Sequence, residues 1–218
     1  MERRRGRHQA TSTRKDQVVS NVLAKDQYWA RIAPFLAVIT ATLLFVLFKP
    51  TDVLFWALIN IPLYLFHQTE EHLWPGGFKD YVNRIVFSLP PGEESLTDSK
   101  VFWINIILVW LAFAVLGFLA FIDIGFGLVI IVFSVLNCVT HLAELVRRHR
   151  WNPGSVMAGI QLVLSSYAAY YVTVHGLEHP FAWWVGSVIF SAAIHLVLFK
   201  AVMGTGKVAR SAPNPSSQ

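Results

Sequence analysis

The chain is short of charge and nearly free of cysteine. Only 14% of its 218 residues are Asp, Glu, Lys or Arg, where a soluble domain carries about a quarter. With 55% hydrophobic residues, this is the composition of a membrane protein rather than of a soluble domain. The one cysteine, Cys138, lies inside an apolar run, which excludes an internal disulfide and a cysteine-based zinc site. Acidic residues are outnumbered, for a net charge of +5. No aromatic or glycine-rich interleaving accompanies the basic residues, so a nucleic-acid partner is not expected. Eight of the 18 Lys and Arg fall in the first 31 residues, the pattern of a basic tail beside anionic lipid.

Residues 1–27 are polar and basic, and are expected to form a disordered cytoplasmic tail. They do not read as a signal peptide, because the apolar run behind them is too long and lacks a small-residue cleavage site. Six apolar segments follow, at about 28–48, 53–74, 101–122, 124–146, 155–174 and 180–203, each near the roughly 20 residues needed to span a bilayer. The longest connection, 75–100, lies between the second and third. Residues 204–218 are rich in Ser, Pro and Gly and read as a second disordered tail. The expected fold is therefore all-α, a polytopic bundle of six transmembrane helices over 28–203. With the N-terminus inside, seventeen Lys and Arg fall on the cytoplasmic side and only Lys49 outside. That asymmetry predicts an integral inner (plasma) membrane protein with both termini cytoplasmic.

Charge is scarce, so where it enters the apolar segments it is informative. The second segment ends in Phe66-His67-Gln68-Thr69-Glu70-Glu71-His72. On a helix His67, Glu70 and Glu71 share one face, while His72 points about 140° away from it. The second, fourth and sixth segments run in the same direction and carry their ionisable residues late: His67, Glu70 and Glu71, then His141 and Glu144, then His195. All are expected at one depth in the cytoplasmic half. Tyr64 and Asn60 extend the first stripe and Asn137 the second, while Asn105 and Gln161 are placed to face the same cavity. Imidazoles and carboxylates in an apolar bundle point to a divalent metal, with Fe, Zn and Mn all suited to these donors. Helical bundles build such centres from Glu and His at i, i+3 spacing, though here His precedes Glu. His67, His141, His195, Glu70, Glu71 and Glu144 are the candidate ligands, for one ion or two. Glu70 or Glu71, if left free of metal, would act as general base.

Competing readings exist for single residues. Glu144 stands one turn from Arg147 and Arg148 and can pair with them for about 0.3 kcal/mol, and an isolated intramembrane His195 is more often packing than ligand. Trp29, Trp103, Trp183 and Trp184 read as an interfacial belt. Trp74-Pro75-Gly76-Gly77 and Trp151-Asn152-Pro153-Gly154 read as helix stops, with Asn152 placed to orient a ligand.

With these residues in view, the chain resembles the HXXEE family of small integral membrane proteins, named for the motif seen here as His67-Gln68-Thr69-Glu70-Glu71. The resemblance covers about residues 55–200 and extends to Asn137 and His141, Asn152-Pro153-Gly154, and His195. It implies a metal-dependent membrane enzyme without a defined reaction. The H-x-x-x-H and H-x-x-H-H boxes of fatty-acid hydroxylases and desaturases do not occur in these segments. Neither does the Glu-Glu-x-x-x-Arg of prenyl-processing proteases, since Trp74 and Pro75 follow Glu71 and His72-Leu73. The expected activity is a metal-dependent reaction on an apolar, amphipathic or lipid-like substrate, oxidation by iron being favoured slightly over hydrolysis. A proton or divalent-metal carrier, and a membrane scaffold with a structural metal, are the alternatives.

Overall fold

The computed structural model describes residues 22–203 and 209–210; the remainder of both predicted tails lies outside the described residues. The fold is an all-α bundle. Five helical segments are long and apolar enough to cross a membrane: Val22–Leu47, Asp98–Leu119, Gly125–Arg148, Ser155–His175 and Pro180–Val202.

The first segment starts ahead of the expected Tyr28 because Ala24, Trp29 and Ala30 are buried against Val82, Leu96, Val101 and Phe102. It opens with a helical turn at 22–24, kinks at Asp26 and Gln27, which take positive φ, within the 3-10 stretch Lys25–Ile32, and continues as α1 (Ala33–Leu47) with Pro34 in its first turn. Trp29 thereby departs from the interfacial belt: it is 5% exposed, whereas Trp103 keeps half its surface open.

The second predicted span is broken. It forms α2 (Val53–Leu58) and α3 (Asn60–His72), which meet at Ile59. Pro62 causes the break, since it has no N–H for the Leu58 carbonyl and its ring crowds that carbonyl. Neither piece alone is long enough to cross. The helix stop predicted at Trp74-Pro75-Gly76-Gly77 is present: the Gly76 N–H returns to the Glu70 carbonyl at 3.0 Å.

Residues 75–97, read from the sequence as a plain connection, fold into a cap. Short helical turns at Phe78–Asp80 and Tyr81–Val86 are followed by a two-residue strand, Glu93–Glu94, paired antiparallel with Ala209–Arg210. Thr97 then starts α4 (Asp98–Leu119) by accepting the Lys100 N–H. Next come α5 (Gly125–Arg148), α6 (Ser155–His175) and α7 (Pro180–Met203).

In lipid the hydrophobic effect does not drive helices together, so close packing must. Small residues supply it. Gly127 of α5 lies so close to α2 that a Cβ there would stand 2.5 Å from the Ala57 Cβ. Around that contact Phe55, Leu58, Leu128, Ile131, Ala168 and Val172 form the largest buried cluster, which holds α2 and α3 against α5 and α6.

Candidate metal centre

One turn of helix separates His67 from Glu71, and Pro62 aims that turn of α3 at α5, where His141 faces it. The three ligand atoms converge. His67 Nε2 is 3.3 Å from His141 Nε2, His141 Nε2 is 3.0 Å from Glu71 Oε1, and His67 Nε2 is 3.7 Å from the same oxygen. These separations place all three atoms about 2 Å from one common point, which is the length of a Zn–N or Zn–O bond. All three residues are buried, and no other such triad occurs among the described residues. The donor chemistry and the spacing both fit a divalent ion.

Surrounding groups fix this geometry. Asn152 Nδ2 donates to the His141 carbonyl at 3.0 Å, which turns its Oδ1 to His141 Nδ1, also at 3.0 Å. The Nδ1 proton is thereby committed, and the Nε2 lone pair faces the centre. Asn137 Nδ2 lies 3.2 Å from His67 Nε2, on the lone pair from which a bound ion would displace it. Asn137 and Asn152 both stand beside the triad. Gly154, at φ 95°, sits so near the centre that a Cβ would meet Glu71 Cγ at 2.9 Å and His141 Cε1 at 3.0 Å. A left-handed conformation and a close approach together require glycine here.

Other predicted ligands are placed elsewhere. Glu70, on the neighbouring face of α3, accepts the backbone N–H groups of Val156 at 3.1 Å and Met157 at 2.6 Å. It caps the N-terminus of α6, where a carboxylate meets free donors and the positive end of the helix dipole. Glu144 takes the pairing that competed with metal binding: Arg147 lies at 2.7 Å and Arg148 also contacts it. Tyr81 of the cap donates to Glu144 at 3.5 Å, and burial together with that carboxylate raises the Tyr81 phenol above its ordinary pKa. His195 gives its Nδ1 proton to the Ser191 carbonyl at 2.8 Å and stacks on Phe133, outside the triad. The structure therefore gathers one three-residue group, room for one ion, where the sequence alone left two open.

The supporting polar residues divide in the same way. Tyr64 packs beside the His67 ring, 5.6 Å between centroids. Asn105 accepts from Gln68 Nε2 at 2.6 Å, and Trp110 donates to the other end of that amide. Asn60 and Gln161 do not face the cavity; with Ser165 they form a separate buried cluster two turns away along α3. Two residues were missed. Gln68 is fully buried although it fills a variable place in the motif. His72, assigned to another face, is also buried; its Nε2 lies 3.5 Å from Glu71 Oε2 and its ring 5.2 Å from Trp29. Helical periodicity gave no signal for His72, because the contact arises from Glu71 turning its second oxygen sideways and from Trp29 covering the ring.

The triad opens onto a cavity of about 360 Å³. Glu71, His72, Asn137, His141 and Asn152 form its polar end, while the cap, α4 and α7 supply an apolar wall into which His195 is set.

A sequence profile described as a protein of unknown function with HXXEE motif matches residues 58–169, half of the chain. The match contains the whole triad, Glu70, Asn137 and Asn152, and ends before the 200 expected from the motifs, leaving His195 and α7 outside. No curated protein and no solved structure matches the chain.

Proposed function

The chain belongs to the HXXEE family, and on that premise we propose that it is a metal-dependent membrane enzyme. Its centre is the two-His, one-Glu group of His67, His141 and Glu71, acting on an apolar or amphipathic substrate held in the adjoining cavity. Zinc hydrolases and non-haem iron oxygenases share this donor set. A divalent ion held there would polarise a substrate oxygen, or, as iron, supply redox chemistry. The concentration of Lys and Arg on alternate connections, with Lys49 alone on the other side, supports cytoplasmic termini and a centre in the cytoplasmic half of the inner membrane, with α2 and α3 as the sixth crossing.

One observation carries this reading: acceptors meet without a proton of their own. With its Nδ1 proton held by Asn152, a neutral His141 presents only a lone pair from Nε2, yet that atom lies 3.0 Å from a carboxylate oxygen. Two such atoms repel unless a cation lies between them. Within the site Asn152 holds the His141 ring, Asn137 Nδ2 is free to turn from His67 Nε2 to a bound substrate once an ion takes that nitrogen, and His72 stands where a proton can pass between Glu71 Oε2 and a bound ligand. A second reading rests on the same contact, since 3.0 Å is also the length of an imidazolium–carboxylate hydrogen bond. The cation would then be a proton, and Glu71 and His141 an acid–base pair.

Elemental analysis of the purified full chain decides between them. Metal-replete wild type should carry about one divalent ion per chain. His141→Ala should lose it, whereas Glu144→Gln and His195→Phe should retain it. A metal-free wild type, after loading with Zn, Fe and Mn in turn, would leave the acid–base pair as the reading.

A further inference from the structure

The triad is only one end of the cavity, and the other end has its own chemistry. Val82 and Val86 of the cap, Val101 and Val109 of α4, and Leu198 and Phe199 of α7 line it. Three separate elements thus converge to build an apolar chamber that ends at Glu71, His72 and His141. We propose that this cavity takes a single-chain amphipath, its polar head at the triad and its tail in the chamber. The proposal rests on the triad being the reacting centre.

Volume sets the size of the ligand. At about 30 Å³ for each water- or methylene-sized group, 360 Å³ holds roughly a dozen groups. Allowing two or three of these for the head leaves a tail of about ten carbons. Tyr81, Asn105, Thr140 and Glu144 also line the cavity, and on the α7 side His195 Nε2, an acceptor because Nδ1 donates to Ser191, is buried with no partner among the described residues. An alkyl tail leaves it unsatisfied, so His195 weakens the binding of a plain tail rather than strengthening it.

The test is equilibrium binding of 1-alkanols of about six to about eighteen carbons to the full chain in lipid nanodiscs, by displacement of tritiated 1-decanol. Concentrations are referred to the free aqueous alcohol, and empty nanodiscs provide the partition background. Saturable binding should tighten about fourfold per carbon, reach its limit near ten carbons, and then stop tightening. Leu198→Trp should shorten the limit by about two carbons, the tail volume that the larger ring removes. Val86→Trp, on the opposing wall, should do the same and guards against a folding defect in either variant. His195→Phe should tighten decanol binding severalfold at unchanged metal content. Affinity that climbs without limit, identically in wild type and both Trp variants, would overturn the proposal. Metal content separates the two failures: an ion without a chain-length limit removes the amphipath alone, and a limit without an ion removes the metal reading alone.

Discussion

Adjacent residues on a helix diverge by about 100°, and that divergence separates Glu70 from Glu71. Glu71 looks toward His141 of α5, whereas Glu70 looks toward the start of α6 and accepts two of its free N–H groups. The motif therefore supplies a candidate ligand and a clamp, and the clamp indirectly serves that candidate. It holds the first turn of α6, just after the Asn152-Pro153-Gly154 turn that orients His141. Glu70→Gln keeps one acceptor of the two and should destabilise the chain by about 1 kcal/mol while leaving the ion bound. Glu71→Gln should do the reverse, abolishing metal binding with little effect on the thermal midpoint of the metal-free protein. Melting curves and elemental analysis of both variants, side by side, check this, and loss of metal from Glu70→Gln with an unchanged midpoint would refute the division. Helical spacing placed both acids in the site, as it did His67 and His141. It could not tell them apart, because the partner of each acid lies on a different helix, 70 or more residues further along the chain.

At the scale of elements, the cap shows most clearly what the sequence conceals. Its Pro90-Pro91-Gly92 run and its acids read as a connection, yet it is held as firmly as a helix. Asn83, fully buried, donates to the Leu96 carbonyl at 2.8 Å and accepts the N–H groups of Ser95 and Leu96, both at 2.9 Å. Arg84 gathers the carbonyls of Leu89, Pro90 and Glu93. Lys79 bridges Glu94 at 3.1 Å and Asp98 at 2.9 Å. None of these bonds follows a period, so none is visible in hydropathy; each depends on which turn the backbone has already made. Asn83→Ala removes three hydrogen bonds at a buried point and should cost about 2–3 kcal/mol, seen as faster amide exchange at Ser95 and Leu96 and cleavage within 88–97. Burial acts to lower the Lys79 pKa, but Asp98 and Glu94 outweigh it and the value is raised. A raised lysine stabilises the fold below its ordinary range and ceases to do so as the pH climbs through the raised value. The protection factor at Ser95, its exchange rate relative to that of an unstructured peptide at the same pH, should therefore stay flat from about pH 7 to about 9 and fall only above the ordinary lysine range.

For the whole molecule the question is whether the polar residues form a site or a path. Seen from the sequence, the polar stripes end midway along the apolar segments, and the fold explains why. Beyond the triad, Asn60, Gln161 and Ser165 form a second buried polar cluster on the same side of α3; taken alone it would extend a route across the bundle. Tyr64 stands between the two, its ring 5.0 Å from Phe113 and 5.9 Å from Phe133. An ion leaving the triad in that direction would have to shed its ligands against three aromatic rings, and the Asn60 oxygen beyond them is already held by Ser165 and Gln161. Carriage across a bilayer needs stepwise replacement of ligands, and the rings separate the triad from the next oxygen without a partner, Gln161 Oε1. The full chain in liposomes should therefore admit Zn²⁺ no faster than protein-free vesicles, as reported by a trapped fluorescent chelator. Tyr64→Ala, which removes the central ring, is the variant best placed to raise that rate. Wild-type uptake above background that Glu71→Gln abolishes would replace the proposed reacting centre with a transport site. The chamber beside it would then lose its reason to end in ligands, since an ion carrier has no use for an apolar chamber beside its binding groups.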